Sequence, residues 1–115
     1  MTITLYGIPN CDTVKKARVW LDGQGIAYTF HDYKKAGADA DRIAGWIAAL
    51  GLDKVLNRAG TTFRKLPPEV THELDTPRAI ALMVANPSCI RRPIVEHASG
   101  VLAGFKPTEW ETALA

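Results

Sequence analysis

Cys11 is the residue whose type and position carry the most chemistry. It follows Gly7-Ile8-Pro9-Asn10, where an apolar start breaks off, and it precedes a run in which Val14, Ala17 and Leu21 recur at steps of three and four. That spacing predicts a helix over 11–22, with Cys11 in its first turn and Asn10 as its cap. A cysteine at the mouth of a helix faces backbone N–H groups that lack intrahelical partners, and the positive end of the helix dipole. Both favour thiolate over thiol, and thiolate is the nucleophile of disulfide exchange and covalent catalysis. Lys15, Lys16 and Arg18 add positive charge within two turns, while Asp12 opposes them. The other common fate of a cysteine is burial as a small hydrophobe. Val14 stands three places on, so a Cys-x-x-Cys pair is absent and a disulfide on Cys11 must be resolved by an external thiol or by Cys89.

Cys89 lies in Asn86-Pro87-Ser88-Cys89-Ile90, ahead of Arg91-Arg92-Pro93. Burial as an inert side chain is its commoner fate. Two cysteines so far apart make neither a disulfide scaffold nor a paired metal motif, and reduced thiols are the expected state. Arg58, Arg64, Arg91 and Arg92 fall in loop-like segments, where planar guanidinium groups can fork onto an oxyanion or a carboxylate. His31, His72 and His97 are scattered without ligand spacing, so no metal is expected, and neither a glycine-rich phosphate loop nor a carboxylate pair suited to hydrolysis is present.

The elements that must position these groups follow from periodicity. Residues 2–6 read as a buried strand entering the turn before Cys11, and Gly23-Gln24-Gly25 ends the first helix. Ile26, Tyr28 and Phe30 alternate with Ala27, Thr29 and His31 as a second strand, and strand, helix, strand in thirty residues suggests a parallel unit. Asp39 or Asp41 caps a helix through Leu50 with Ile43, Trp46, Ile47 and Leu50 on one face, and Gly51 closes it. A helical turn around 53–57 leads to the polar stretch Arg58–Lys65, too rich in glycine and threonine to extend it. Thr76-Pro77 starts a helix whose buried stripe is Ile80, Met83 and Val84, and Asn86-Pro87 stops it. Ile94-Val95 and Val101-Leu102 flank Ser99-Gly100 as a hairpin, and Pro107-Thr108 opens a last helix with Trp110, Ala113 and Leu114. The class is α/β, with a mixed four-stranded sheet.

The 115 residues, 47% hydrophobic and 23% charged, suit one domain over 1–115. A formal charge of +2 is too small to argue for nucleic-acid binding. No apolar run approaches membrane-helix length, and Met-Thr-Ile-Thr-Leu-Tyr-Gly lacks a basic segment ahead of a hydrophobic one, so the expectation is a soluble, cytoplasmic protein without membrane partners.

Three ordered motifs carry a resemblance. Tyr6-Gly7-Ile8-Pro9-Asn10-Cys11-Asp12-Thr13-Val14-Lys15-Lys16-Ala17-Arg18, Leu56-Asn57-Arg58-Ala59-Gly60-Thr61-Thr62-Phe63-Arg64-Lys65-Leu66 and Arg91-Arg92-Pro93-Ile94-Val95 together resemble the ArsC-like arsenate reductases, in the branch of the YffB and Spx proteins. The resemblance runs from the first strand to Gly104-Phe105-Lys106-Pro107.

It implies a thioredoxin-like, glutaredoxin-like fold with a helical insertion at about 36–90, and a nucleophilic cysteine at Cys11. In the arsenate reductases the thiolate attacks the oxyanion, glutathione joins the adduct and glutaredoxin completes turnover, with arginines holding the anion. By motif position Arg58 and Arg92 match two of those arginines, and Pro93 matches the cis-proline that faces the cysteine in thioredoxin-like proteins. A third arginine has no match around Val101-Leu102-Ala103, and Gly7-Ile8-Pro9-Asn10 lacks the histidine that precedes the reductase cysteine. The single-cysteine YffB type fits best. It implies a glutathione-dependent thiol oxidoreductase with no bound cofactor and glutathione as co-substrate. Cys11 is then the nucleophile, with Arg58, Arg92, Pro93 and Asn10 on the substrate. Glutaredoxin or a glutathionylated protein is the implied partner, arsenate is a further substrate to test, and a monomer is expected. The alternative is an adaptor like the Spx regulator, docking on RNA polymerase or another protein.

Overall fold

The computed structural model describes residues 3–72 and 74–114. Thr2, the expected start of the first strand, lies outside the described residues. The chain forms two compact units, one made of 1–36 with 92–115 and the other of 37–91.

The first unit holds the sheet. Strand β1 (Thr4–Gly7) is followed by helix α1 (Asp12–Gly23), strand β2 (Thr29–Asp32) and the single turn α2 (Tyr33–Ala36); after the second unit come β3 (Ile94–His97), β4 (Gly100–Ala103) and the last helix, Pro107–Leu114. The strand order is β2-β1-β3-β4. β1 and β2 run parallel, with Leu5 opposite Phe30, whereas β3 is antiparallel to both β1 and β4. This is the mixed sheet of a thioredoxin-like fold. Its core is Ile3, Leu5, Val14, Ala17, Leu21, Val95 and Trp110, which joins one face of β1 and β3 to the apolar stripe of α1 and to the last helix. The Trp110 ring packs edge-on against Phe105 and Trp20, and its Nε1–H donates to the Gly104 carbonyl at 3.0 Å. Of the expected apolar positions in that last helix, Trp110 is buried and Ala113 is exposed.

β2 starts three residues later than the alternation from Ile26 suggests. The cause is the end of α1: Gly25 takes φ +69°, its N–H donates to Asp22 O, and the Ile26 N–H donates to Leu21 O at 3.0 Å. The Ile26 amide closes the helix rather than entering the ladder. Pairing is then taken up by the Thr29 N–H, which donates to Ile3 O at 2.8 Å.

The second unit is helical apart from one bridge. Its elements are α3 (Ala40–Leu50), α4 (Leu52–Val55), α5 (Thr61–Arg64), α6 (Pro68–Thr71), α7 (Thr76–Ala85) and a 3-10 turn (Pro87–Cys89). Asp39 is the cap of α3, accepting from the Arg42 N–H, and Asp75 caps α7 by accepting from the Arg78 N–H. The core includes Ile43 and Trp46 of α3, Val55, Leu56, and Ala79, Leu82 and Met83 of α7. Thus the buried stripe of α7 is rotated by about one residue from the expected Ile80, Met83 and Val84, and Val84 is exposed. The stretch Arg58–Lys65, expected as loop, contains α5. Gly60 supplies an extended entry residue, and Arg64 N–H bonding to Gly60 O completes a turn short enough to tolerate two threonines. A bridge between Leu56 and Ile90 is flanked by Asn57 N–H to Cys89 O at 2.7 Å and Arg91 N–H to Val55 O at 2.8 Å.

Candidate functional site

The register of the sheet decides what meets at its end in the first unit. Tyr6 pairs with His31 on one side and Ile94 on the other, and Gly7 pairs with Asp32. The segment Ile8–Cys11 after β1, Tyr33 after β2 and Arg92-Pro93 before β3 therefore leave the sheet at one end. Residues read from two distant motifs, Cys11 and Arg92 with Pro93, belong to this end, and Tyr33 joins them.

Cys11 is the N-cap residue of α1, at φ −95° and ψ 124°, and its carbonyl takes the first helical bond from the Lys15 N–H at 2.9 Å. It stands one position before the helix rather than within its first turn, because its own dihedrals are extended. Asn10, expected as the cap, lies in the turn outside the helix and is exposed. The Cys11 thiol is free, half-buried and packed against the core around Leu5 and Val14. The Cys11 side chain makes no capping hydrogen bond to the first turn of the helix.

Pro93 is buried and follows a cis peptide bond to Arg92. Its carbonyl accepts the Gly104 N–H at 2.8 Å, which fastens this loop to the end of β4. Arg92 is half-buried. Tyr33 is fully buried, and burial is the main force that pushes its phenol above the ordinary tyrosine range. The Arg92 guanidinium draws it back, while Cys11 and Asp32 add to the rise, so the phenol is neutral and shares its electrostatic surroundings with both the thiol and the arginine. No motif in the sequence pointed to Tyr33. Its only signal is its place directly after the second strand.

Arg58 belongs to the second unit, where it is exposed and its Nη1 donates to Asp53 Oδ1. Arg91 Nε donates to the Lys54 carbonyl at 2.8 Å, a bond that holds the bridge region together. Arg64 is exposed at the end of α5. Cys89 is buried at 1% exposure in the second unit. Among the described residues there is no group of three or more His, Cys, Asp or Glu that could hold a metal, and no helix is long and apolar enough to cross a membrane.

The sheet order and directions are those of a thioredoxin-like fold, with Cys11 at the first helix and the cis Pro93 at the same end. Residues 6–113 match the model of the ArsC family, and the chain belongs to that family. A solved structure described as a YffB protein is 53% identical, with a TM-score of 0.96 over 99% of this chain and 100% of that one. A protein of Haemophilus influenzae described as uncharacterized is 39% identical over 98% of this chain and 99% of its own length. The global transcriptional regulator Spx of Streptococcus mutans is 28% identical over 93% of this chain and 79% of its own length.

Proposed function

We propose that the protein is a glutathione-dependent thiol oxidoreductase in which Cys11 is the nucleophile. The observation that carries this reading is the position of Cys11: a free, half-buried thiol at the N-cap of α1, at the sheet end that also holds Arg92 and the cis Pro93. The Cys11 thiolate attacks the glutathione sulfur of a mixed disulfide. A Cys11–glutathione disulfide forms, and the substrate sulfur leaves with the electron pair of the broken bond and takes up a proton. A second glutathione, as thiolate, attacks the glutathione sulfur of that disulfide, releasing oxidised glutathione and returning the Cys11 thiolate. Glutathione is the net reductant, and the chain itself ends each cycle unchanged.

The other residues have roles consistent with their chemistry. Arg92 offers a planar cation to a glutathione carboxylate, Arg58 offers a second, and Asn10, exposed beside the thiol, offers an amide. Pro93 bounds the site at the sheet end that also carries the thiol. Cys89, buried, takes no part, which leaves release to an external thiol such as glutathione or glutaredoxin.

The test is turnover of the mixed disulfide of glutathione and 2-mercaptoethanol, with arsenate as a parallel substrate. Cys11→Ser should abolish it and Cys89→Ser should retain most of it; equal loss in both contradicts a one-cysteine cycle. The similarity to Spx supports a second reading, an adaptor that docks on a larger protein. A chain that shows no disulfide- or arsenate-linked turnover while holding a large partner through purification favours that reading.

A further inference from the structure

We infer that Trp110 is a positioning residue of the thiol site: its indole N–H holds the Gly104 carbonyl, Gly104 holds Pro93, and together they fix where Arg92 stands at the sheet end that carries Cys11. The inference rests on the reading of Cys11 as nucleophile and of Arg92 as a cation for glutathione.

Proline has no backbone N–H, and Pro93 stands where the ladder calls for one. β3 and β4 are antiparallel, with Ile94 opposite Ala103 and Val95 opposite Leu102, so the same register sets Pro93 opposite Gly104. In such a ladder every second facing pair exchanges two hydrogen bonds. The Gly104 N–H donates to the Pro93 carbonyl at 2.8 Å, which makes this an exchanging pair, and the return bond to the Gly104 carbonyl has no donor on Pro93. Trp110 supplies that donor: its Nε1–H, from the last helix, reaches the Gly104 carbonyl at 3.0 Å. Gly104 adopts φ +74°, in the left-handed region that favours glycine, as the chain leaves β4 for that helix. It is thus held on both sides, by Pro93 through its N–H and by Trp110 through its carbonyl.

The ring of Trp110 reaches the other half of the site. Trp110 is buried, and its ring packs edge-on against Trp20 of α1, with 5.9 Å between centroids, and against Phe105 at 4.9 Å. α1 is the helix whose N-cap is Cys11. Trp110 therefore touches the element that bears the thiol with its ring and, through Gly104, the residue next to Arg92 with its N–H. Packing calls for the ring alone. The buried N–H demands an acceptor, and the acceptor it takes is the carbonyl that Pro93 cannot serve.

Without the indole bond this rung of the β3–β4 ladder keeps a single hydrogen bond, and Arg92, one residue beyond it, is held less closely. Binding of the glutathione carboxylate suffers before sulfur exchange does, because Cys11 stays on α1.

The experiment replaces Trp110 in the full chain by benzothienylalanine, which keeps both rings and puts sulfur where the N–H stands, with Trp110→Phe as a second variant. Amide hydrogen exchange at Gly104 should quicken roughly tenfold while the α1 amides of Ala17 and Leu21 keep their rates. KM for the glutathione–2-mercaptoethanol mixed disulfide should rise roughly three- to tenfold, as loss of a hydrogen bond does, with kcat within about twofold. In an Arg92→Ala background the same replacement should leave KM within about 1.5-fold, since the cation it positions is gone. A merely structural tryptophan would lower the thermal midpoint and either leave KM alone or change it equally in both backgrounds, and each of those results overturns the role. Unchanged exchange at Gly104 overturns it without reference to glutathione. A wild-type chain that turns over no mixed disulfide overturns the thiol-transfer reading, and the positioning role falls with it even where Gly104 exchange responds.

Discussion

Gly7 lies so close to Val14 that a methyl group added at its Cα would fall 2.8 Å from Val14 Cγ2. The last residue of β1 and the first buried position of α1 are therefore in direct contact, with Cys11 carried on the short segment between them. Only a residue without Cβ lets the helix start this near the strand. The closeness fixes where the helix mouth, and the thiol at it, stand relative to the sheet.

Gly7→Ala should destabilise the chain by about 1–3 kcal/mol, the usual range for overpacking a core. Gly45, within α3 and with nothing inside 4 Å of a methyl group added at its Cα, is its control. Gly45→Ala should stabilise by roughly 0.5–1 kcal/mol, since alanine loses less backbone freedom in a helix. Urea unfolding of both variants checks the pair. A neutral Gly7→Ala would show that the β1–α1 junction yields easily.

Arg92→Ala should raise KM for the glutathione-bearing substrate by roughly tenfold or more, since a charge-assisted hydrogen bond contributes about 1.5–3 kcal/mol. Arg58 is held by an exposed ion pair with Asp53, a type of contact that contributes only about 0.2–1 kcal/mol. Asp53→Ala should accordingly leave stability almost unchanged and release Arg58 for an anion. Steady-state kinetics of Arg92→Ala, Arg58→Ala and Asp53→Ala separate these effects. KM unchanged in both arginine variants removes the anion-holding role.

His97 gives the chain a small pH dependence. Burial lowers its pKa from the ordinary histidine value, and its Nδ1, accepting from the Ser99 N–H at 3.3 Å, must be unprotonated for that bond. The unfolded chain therefore binds a proton more readily than the folded one. The stability attached to neutral His97 is full above the unfolded value of about 6.5 and is lost as pH falls through the lower folded value. Unfolding curves at pH 7.5 and pH 5 should show a smaller loss in His97→Gln than in the parent; equal losses would assign the slope to other groups.

Much of this architecture is legible from the sequence because its elements are amphipathic and punctuated. Val14, Ala17 and Leu21 mark α1, Asp39 and Gly51 bracket α3, and Ser99-Gly100 marks the β3–β4 hairpin, whose turn is Ala98-Ser99 with Gly100 already opening β4 opposite His97. The single-turn helices α2, α5 and α6 are too short to show a helical period. The start of β2 is hidden because Ile26, apolar and in phase with the strand, spends its amide on the end of α1. Cys11 and Arg92-Pro93 are readable as types in motifs, but their meeting at one sheet end depends on register, which no local pattern states. Tyr33 illustrates the same limit: as one aromatic after a strand it carries no signal until the strands are paired.

Cys11 as the nucleophile is tested most directly by intact-mass analysis of the chain after brief exposure to oxidised glutathione, with peptide mapping of the site. One added glutathione is expected, located at Cys11, lost in Cys11→Ser, kept in Cys89→Ser, and removed by reduced glutathione. Addition at Cys89, or no addition while the chain remains folded, would contradict that role.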